Sequence, residues 1–321
     1  MKKIVTIGGG TGHFSLLSAL KDFDIDLKAV VSMVDSGGST GRLRDEYGVL
    51  PPGDVLKCLI ALSAYPDARE ILQSRFQKSN RLKNHNAGNL LLVFLSQYLS
   101  HDFPKAIEAL GEILNIKGEV LPVTTDKATL VAELDNGKRL FGESEIDVVR
   151  GCRDSKIKRT YLVPHHGSLE VHGPVREAIE EADYVFIGPG DLYTSLTPNF
   201  LFDGIKESIE KSKAKFVYFT NIMTKYGETD GFHMSDFVNV IENYMGRSVD
   251  LIVANSNIPS SEVQSKYKIE NSHPVEIDVD DERLIDVDLL SVGNLARHDF
   301  GKLKQVIDKS ILNIQDKNWT I

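Results

Sequence analysis

KIVTIGGGTGH, residues 3–13, is the stretch that decides the fold of this chain. It joins a short β-branched run to a glycine-rich loop, a pattern typical of a strand buried on both faces that ends in a tight turn. Phe14, Leu17 and Leu20 then recur at helical spacing, and a second apolar run follows at 27–34. This order of strand, loop, helix and strand predicts a right-handed crossover in a parallel, Rossmann-like sheet.

The glycine loop at 8–12 predicts phosphate binding. Glycines between a buried strand and a helix let backbone amides approach a phosphate, and the helix N-terminus adds a favourable partial charge. His13 stands where the dinucleotide fingerprint has its third glycine, and the chain lacks the GK[ST] of a P-loop. The alternative is a tight turn without a ligand. The predicted ligand contacts of this loop are Gly9, Gly10, Thr11 and Gly12.

A second glycine-rich loop, DSGGSTGRLR, occupies residues 35–44, directly after the second predicted strand. Asp35 lies where dinucleotide-binding folds place the acid that holds a ribose. Arg42 and Arg44 offer charged forks for a phosphate or carboxylate. The alternative is a surface loop whose arginines pair with Asp45 and Glu46. The predicted contacts here are Asp35, Ser36, Gly37, Gly38, Ser39 and Arg42.

Further polar loops follow at 51–54, 84–89, 188–195 and 220–224. Several of these loops follow predicted strands, and such loops meet at the carboxyl edge of a parallel sheet, where ligands bind. Asp54 is a helix cap, a ligand contact or a Mg²⁺ ligand, and the interpretation of Asn86 as a helix cap also stays open. The remaining predicted contacts are Asn86, Asn89, Gly190, Asp191, Asn221 and Arg297. If the protein is an enzyme, Asp54 and Asp191 are the candidate catalytic residues.

The rest of the chain alternates between strand and helix patterns. Strands are predicted at 184–187, 216–219 and 251–253, and helices near 174–182, 199–212 and 234–245. Asn136-Gly137 is a hairpin signal inside a β-rich insertion at about 117–168. We therefore predict one Rossmann-like α/β domain over residues 1–321. Its mostly parallel sheet carries helices on both faces.

Composition narrows the functional classes. The 321 residues carry a formal net charge of −9, which gives no overall basic field for nucleic acid. Neither a signal sequence nor a membrane-length apolar run is visible, so a cytoplasmic location is expected. Cys58 and Cys152 do not have zinc spacing. His165, His166 and His172 lack acids or cysteines at ligand spacing, so the one metal considered is Mg²⁺ near Asp54.

The polar loops together resemble the YvcK/CofD family, and within it the YvcK branch known as gluconeogenesis factors. The motifs span nearly the whole chain: GGGTG at 8–12, DSGGSTGRLR at 35–44, PPGD at 51–54, NHNAGN at 84–89, GPGDLYTS at 188–195, TNIMT at 220–224, GET at 227–229 and RHD at 297–299. The resemblance implies a Rossmann-like core and a UDP-N-acetylglucosamine or NAD(P)-like nucleotide ligand. It also implies a role in carbon metabolism and cell-shape maintenance.

Three functional hypotheses follow. The first is a nucleotide-sugar-binding regulatory protein, with regulatory protein partners and a homodimer left open. The second is an enzyme similar to 2-phospho-L-lactate transferase, in which Mg²⁺ and Arg42 neutralise a diphosphate donor. The third, a hydride-transfer dehydrogenase, is disfavoured by the interrupted fingerprint at His13.

Overall fold

A seven-stranded parallel sheet forms the centre of the protein in the computed structural model, which describes residues 1–78, 82–147 and 155–312. Its strand order is β10-β9-β8-β7-β1-β2-β3, and a separate three-stranded antiparallel sheet has the order β5-β4-β6. The strands are β1 (Lys2–Gly8), β2 (Ile25–Val31), β3 (Glu119–Pro122), β4 (Ala128–Leu134), β5 (Arg139–Phe141), β6 (Ile157–Pro164), β7 (Tyr184–Ile187), β8 (Lys215–Phe219), β9 (Leu251–Asn255) and β10 (Leu284–Val287).

Helices flank the large sheet, as expected for an α/β fold of this kind. The α-helices are α1 (Gly10–Leu20), α2 (Gly38–Tyr47), α3 (Gly53–Leu62), α4 (Ala68–Gln73), α5 (Ala87–Tyr98), α6 (Phe103–Ile113), α7 (Glu143–Asp147), α8 (Gly173–Glu181), α9 (Ile205–Lys211), α10 (Met234–Met245), α11 (Ser261–Ile269) and α12 (Phe300–Val306). Short π-helical turns occupy Leu192–Leu196 and Ile307–Leu312, and a 3₁₀ turn occupies Thr197–Phe200. The predicted fold class is confirmed.

The central strands are apolar because both faces of the sheet are covered. Ile4 and Ile7 of β1, Phe186 of β7 and Phe216 of β8 are completely buried. Each such side chain contributes roughly 1.5–3 kcal/mol on burial. This core holds the strand ends, and therefore the loops that follow them, in fixed positions.

The topology places a crevice beside β1. Ile7 of β1 lies opposite Val30 of β2 on one side and Ile187 of β7 on the other, and both pairings are parallel. The chain builds the sheet outward through β2 and β3, then returns to the opposite side of β1 to add β7 to β10. The chain therefore adds strands in opposite directions after β1 and after β7, and the carboxyl edge between these two strands is where open α/β sheets bind their ligands.

The predicted hairpin in the insertion is present. Strands β4 and β5 pair antiparallel around Gly137, whose φ of +82° suits a glycine in this turn. Strand β3 pairs with β2 in the large sheet, so the antiparallel sheet begins at Ala128, later than the expected start of the insertion near residue 117.

The helix predicted near 199–212 differs from the observed structure. The chain forms a π-helical turn and a 3₁₀ turn, and α9 starts only at Ile205. Gly204 has a φ of +92°, and this left-handed residue separates the 3₁₀ turn from α9.

Cys58 is free and buried, whereas Cys152 lies outside the described residues. Within the described ranges, none of the helices combines the length and apolar character needed to cross a bilayer.

Candidate functional site

The loops after β1, β7 and β8 pack directly against one another at the carboxyl edge of the large sheet. A β-carbon at Gly12 would overlap the Pro189 carbonyl group, with the carbonyl carbon at 2.7 Å. A β-carbon at Gly190 would lie 3.3 Å from the Gly9 carbonyl oxygen. The Asn221 side-chain nitrogen Nδ2 donates to the Gly190 carbonyl oxygen at 2.9 Å. Three of the predicted loops therefore form one surface.

Helix α1 begins inside this surface. Gly9 is its N-cap residue and makes no side-chain cap hydrogen bond, and Gly10 has a φ of +69°. No acidic residue stands in the first turn of α1. The amides at the start of α1 are therefore available to an anion, which the helix dipole also favours.

His13 has a structural role beneath the glycine loop. Its side chain is completely buried, and its Nε2 lies 2.8 Å from Thr6 Oγ1. A β-carbon at Gly8 would lie 2.9 Å from the ring of His13, so Gly8 makes room for the imidazole. Burial lowers the pKa of His13 to about 4, which leaves the ring neutral. His13 replaces the fingerprint glycine by packing under the loop.

The second loop is shaped by Asp35. Its Oδ1 accepts a hydrogen bond from the Gly37 amide at 2.8 Å, just before α2 begins. A β-carbon at Gly53 would lie 3.0 Å from Asp35 Oδ2 and 2.5 Å from Thr40 Oγ1. The loop therefore packs closely against the start of α3, which carries Asp54.

The NHNAGN motif contacts the far end of this second loop. Ser39 Oγ lies 2.7 Å from His85 Nδ1, and Arg42 is exposed and donates to the Lys83 carbonyl oxygen at 3.3 Å. Asn86 is the N-cap of α5, and its Oδ1 accepts from the Asn89 amide at 2.7 Å. The helix-cap interpretation of Asn86 thus holds, and the structure shows Arg42 bonded to backbone.

Acidic side chains line a cavity of about 260 Å³ beside the first loop. Asp54 Oδ1 pairs with Lys57 at 2.8 Å, and Asp54 Oδ2 lies 2.5 Å from the position a β-carbon of Gly9 would take. Burial and the nearby Asp54 charge raise the pKa of Asp35. The residues lining this acidic cavity are Gly10, Thr11, Ser32, Asp35, Asp54, Lys57, Glu143, Asp147, Asp191, Thr194 and Ser195.

The insertion contributes two of these acids through α7, and the sequence analysis missed both. Burial and the Asp35 charge raise the pKa of Glu143 to about 8, which favours its protonated form near pH 7. The Ser144 amide donates to Ser36 Oγ at 3.3 Å, and Asp147 forms an ion pair with Lys225. These contacts close the insertion over the site, which the hairpin pattern alone did not reveal.

Lys225 is a further functional residue that the sequence analysis missed. Its Nζ lies 2.8 Å from Asp191 Oδ2 and 2.9 Å from Glu228 Oε1, in addition to its contact with Asp147. Glu228 is 3% exposed. Lys225 directly follows the TNIMT motif and Glu228 lies in the GET motif. Both residues follow the end of a predicted strand, and this position could have identified them as candidate site residues.

A second cavity, of about 310 Å³, also borders the first loop. The two cavities share Gly10, Thr11 and Asp191 in their linings, so they adjoin each other at the start of α1, and the pair is called the groove below. The residues lining this second cavity are Gly9, Gly10, Thr11, Gly12, Ser15, Pro189, Gly190, Asp191, Asn221, Ile222, Met223, Thr224, Lys225, Tyr267, Glu270, Ser272, Ala296, Arg297 and His298.

Asp299, next to Arg297 and His298, is a helix cap. Its Oδ1 accepts a hydrogen bond from the Lys302 amide at 2.9 Å at the start of α12.

His165, one of the histidines considered for metal binding, has its Nε2 2.8 Å from Thr129 Oγ1. In the part of the chain that the structure describes, no three His, Cys, Asp or Glu side chains are arranged to hold a metal by themselves.

Asp35 and Asp54 nevertheless suit a Mg²⁺ ion that arrives with a phosphate ligand. Magnesium in nucleotide sites commonly takes one or two carboxylates and completes its shell with phosphate oxygens and water. The two carboxylates line the same cavity, and burial together with the Asp54 charge raises the pKa of Asp35. The donor set therefore fits the ion without forming a complete metal site.

Comparison with known proteins finds relatives that match nearly the whole chain. A family model described as 2-phospho-L-lactate transferase CofD matches residues 4–292. A Thermotoga maritima relative is 41% identical over 317 residues, covering 96% of this chain and 98% of its own. A Halalkalibacterium halodurans relative named gluconeogenesis factor is 38% identical, and the match covers 95% of this chain and 95% of the relative. A Bacillus subtilis relative of the same name is 36% identical, and the match covers 95% of this chain and 96% of the relative.

A solved structure has the same fold. A crystal structure of a Bacillus halodurans protein superposes with a TM-score of 0.89 at 37% sequence identity, covering 96% of this chain and 99% of that chain. A second crystal structure, described as a member of the UPF0052 family from the same species, superposes with a TM-score of 0.88. The structural similarity therefore extends over the large sheet and over nearly all of the remaining chain.

Proposed function

The chain belongs to the CofD family, in the group whose relatives are named gluconeogenesis factors, and on that premise we propose that it is a nucleotide-sugar-binding regulatory protein. The proposed ligand is UDP-N-acetylglucosamine or an NAD(P)-like nucleotide of similar size. The proposed role is in carbon metabolism and cell-shape maintenance, exercised in the cytoplasm, with regulatory protein partners and a second copy of the chain as candidate associates.

The observation that carries this proposal is the groove at the start of α1. A nucleotide sugar has a nucleoside at one end, a sugar at the other and a diphosphate between them. The groove has cavities of about 310 and 260 Å³ that adjoin each other at a helix N-terminus. An anion is stabilised at such an N-terminus by free amides and by the helix dipole. The diphosphate is therefore assigned to the helix start, with the nucleoside and sugar in the two cavities.

The charges of the groove support the same placement. Gly10 and Thr11 border both cavities and offer backbone amides to the diphosphate. Lys225 borders the larger cavity and is held by carboxylates of the protein, so a diphosphate competes with those carboxylates for it. Arg297 is exposed at the rim of the same cavity and supplies a further cation.

The smaller cavity favours a polyhydroxylated group. It is lined by carboxylates and by the hydroxyl-bearing residues Ser32, Thr194 and Ser195. Carboxylates accept hydrogen bonds from sugar hydroxyls. Asp35 and Asp54 would also hold Mg²⁺ on the diphosphate, and the ion would neutralise phosphate charge there. This cavity is therefore the proposed sugar side of the groove.

The alternative function is transfer of a phosphorylated group from a nucleotide diphosphate donor, as in 2-phospho-L-lactate transferase. The specific observation in its favour is that Asp54 and Asp191 both border the cavity beside the proposed diphosphate position. A carboxylate there can accept a proton from an acceptor hydroxyl as its oxygen attacks the distal phosphorus of the donor, while the bond from that phosphorus to the bridging oxygen breaks and a nucleoside monophosphate leaves. In this alternative the acceptor occupies the smaller cavity and the donor nucleotide occupies the larger one.

Titration calorimetry tests the proposal directly. We expect UDP-N-acetylglucosamine to bind the purified chain in the presence of Mg²⁺, and NAD(P) and uridine nucleotides serve as competitors. Absence of binding by every one of them at millimolar concentration would contradict the proposal. Turnover of a nucleotide diphosphate donor with Mg²⁺, lost in Asp191→Asn and kept in the exposed control Asp45→Asn, would establish the transferase alternative instead.

A further inference from the structure

Helix α3 carries its charged residues at one end only. Asp54 and Lys57 are the charged residues among its ten, and residues 58–62 are all buried. Lys57 Nζ lies 2.8 Å from Asp54 Oδ1, one turn earlier on the same face of the helix. The Lys57 side chain is 36% exposed and lines the acidic cavity. The polar end of α3 is therefore part of the wall of that cavity.

Lys57 is surrounded by acids. Among the described residues that line the acidic cavity, it is the only lysine or arginine. Burial raises the pKa of Asp35 and of Asp191, and the positive charge of Lys57 opposes that rise at both. Lys57 therefore acts on three carboxylates of the cavity, on Asp54 through a direct ion pair and on the other two through space. The acids that line this cavity are Asp35, Asp54, Glu143, Asp147 and Asp191.

Lys57 and Lys225 pair with different carboxylates of the site. Lys225 pairs with Asp147 and Asp191, whereas Lys57 pairs with Asp54. Asp54 is also one of the two residues that suit Mg²⁺, an ion that prefers oxygen ligands. An ammonium group and a Mg²⁺ ion on one carboxylate repel each other, because both are positive. While Lys57 stays on Asp54, it therefore competes with a metal ion for that carboxylate.

We infer that Lys57 is a positioning residue that keeps Asp54 occupied in the ligand-free protein and releases it to Mg²⁺ when a diphosphate binds. The inference rests on the proposed function, since its diphosphate is the one assigned to the start of α1. Gly10 and Thr11, which offer amides to that diphosphate, line the same cavity as Lys57. Lysine carries its charge on a flexible four-carbon stem, so Lys57 can turn from Asp54 to a phosphate oxygen while α3 stays in place.

The consequence of this exchange is that nucleotide and metal bind together. In the free protein Mg²⁺ must displace Lys57 from Asp54 and gains no phosphate oxygens. In the complex the phosphate draws Lys57 away and also completes the shell of the ion. Each ligand therefore raises the affinity for the other by the same factor, as linkage requires.

Metal binding without nucleotide tests the inference. The probe is Mn²⁺, which suits the same oxygen ligands as Mg²⁺ and is counted by electron paramagnetic resonance. We expect Lys57→Met to bind Mn²⁺ roughly 10-fold more tightly than the wild type, because the competing charge is gone. In calorimetry with Mg²⁺ the same variant should bind UDP-N-acetylglucosamine roughly 10-fold more weakly, because a charge-assisted contact to phosphate is lost. A purely structural role of Lys57 would not move the two affinities in opposite directions.

Two variants serve as controls. Lys105→Met removes the lysine of a pair with the same spacing, since Lys105 Nζ lies 2.9 Å from Asp102 Oδ2 at the start of α6. Lys105 lines neither cavity of the groove, so both affinities should stay at their wild-type values. Lys57→Arg keeps the positive charge and should keep Mn²⁺ binding to the free protein weak.

The wild type provides a second measurement if Lys57→Met does not fold. We expect Mn²⁺ to bind the complex of protein and UDP more tightly than it binds the free protein or UDP alone. This comparison needs no variant, because it measures the coupling between nucleotide and metal directly.

The outcomes separate this inference from the proposed function. Equal Mn²⁺ affinities of the wild type and Lys57→Met, with nucleotide binding intact, would overturn the inference and leave the proposed function standing. A wild-type protein that binds Mn²⁺ equally well with and without UDP would do the same. Absence of binding by every nucleotide would overturn the proposed function and this inference together.

Discussion

The backbone carbonyl of Pro189 lies against Gly12, where any other residue would place its β-carbon. Gly12 belongs to the first turn of α1, and Pro189 belongs to the loop after β7. The two loops leave neighbouring strands on opposite sides of the topological switch point. Their contact therefore sets the width of the proposed binding groove where α1 begins.

Gly12→Ala should damage both stability and binding. The added methyl group meets a backbone carbonyl that cannot rotate away, so one of the two loops must shift. We expect a loss of about 1–3 kcal/mol in the free energy of unfolding, measured by urea denaturation. Nucleotide affinity should fall at least 10-fold, which corresponds to about 1.4 kcal/mol.

Gly173→Ala provides the matched control for Gly12→Ala. Gly173 opens α8, and a β-carbon there would meet no atom within 4 Å. Its replacement should leave both stability and affinity nearly unchanged. Wild-type affinity in a stable Gly12→Ala protein would show that the groove does not depend on this contact.

Lys225→Met should destabilise the protein by leaving Glu228 without its cation. Glu228 is 3% exposed and forms an ion pair with Lys225, whose Nζ lies 2.9 Å from Oε1. Lys225 itself is about one-third exposed, so the loss is smaller than for a fully buried pair, roughly 1–3 kcal/mol in urea unfolding. The double variant Lys225→Met/Glu228→Gln should recover part of that loss.

The control for Lys225→Met is Lys266→Met. Lys266 pairs with Glu262 on the exposed face of α11 at 3.2 Å, and both side chains are solvated. Exposed pairs of this kind contribute roughly 0–1 kcal/mol. Equal losses in Lys225→Met and Lys266→Met would contradict the interpretation of Lys225 as the cation that neutralises the buried carboxylate.

The sequence predicted the sheet well because local patterns determine its strands. The buried apolar runs of β1 and β7 and the glycines that follow them are readable without tertiary information. The positions of Gly9 to Gly12, Asp191 and Asn221 around one groove follow from the rule that parallel strand ends share an edge. This part of the site is a consequence of topology.

Tertiary contacts determine the part of the site that the sequence did not predict. Glu143 and Asp147 reach the groove because the insertion folds back onto Ser36 and Lys225, and no local pattern encodes that direction. His13 interrupts the dinucleotide fingerprint only in sequence. In three dimensions its ring fills the space beneath Gly8, which a glycine at position 13 would leave empty.

Asp54→Asn should separate metal-dependent from metal-independent binding. If Asp54 helps to hold Mg²⁺ on a diphosphate, the gain in nucleotide affinity on adding Mg²⁺ should shrink at least 10-fold, which is about 1.4 kcal/mol. In EDTA the affinity should stay the same or rise, because one negative charge near the diphosphate is removed. Calorimetry in Mg²⁺ and in EDTA measures the two nucleotide affinities.

Asp45→Asn is the matched control, since Asp45 is exposed on α2. It should keep the full Mg²⁺ dependence of the wild type. An undiminished Mg²⁺ effect in Asp54→Asn would assign the ion to other ligands, or to the nucleotide alone.

His13 should make the protein less stable as the pH falls from about 6.5 to about 4. Burial lowers the pKa of His13 to about 4 in the folded chain, whereas an unfolded histidine titrates near 6.5. Between these values the unfolded chain binds a proton that the folded chain does not, so stability rises with pH across this window. His298, whose pKa is also lowered to about 4, contributes a slope of the same sign.

Urea unfolding of His13→Gln at a series of pH values isolates the contribution of His13. The variant is expected to be less stable at every pH, because the space beneath Gly8 is no longer filled by the ring. The informative quantity is the slope of unfolding free energy against pH, which should become shallower below pH 6.5 while the part due to His298 remains. His166→Gln, at an exposed site, should keep the wild-type slope. An unchanged slope in His13→Gln would mean that the imidazole takes up its proton inside the folded protein.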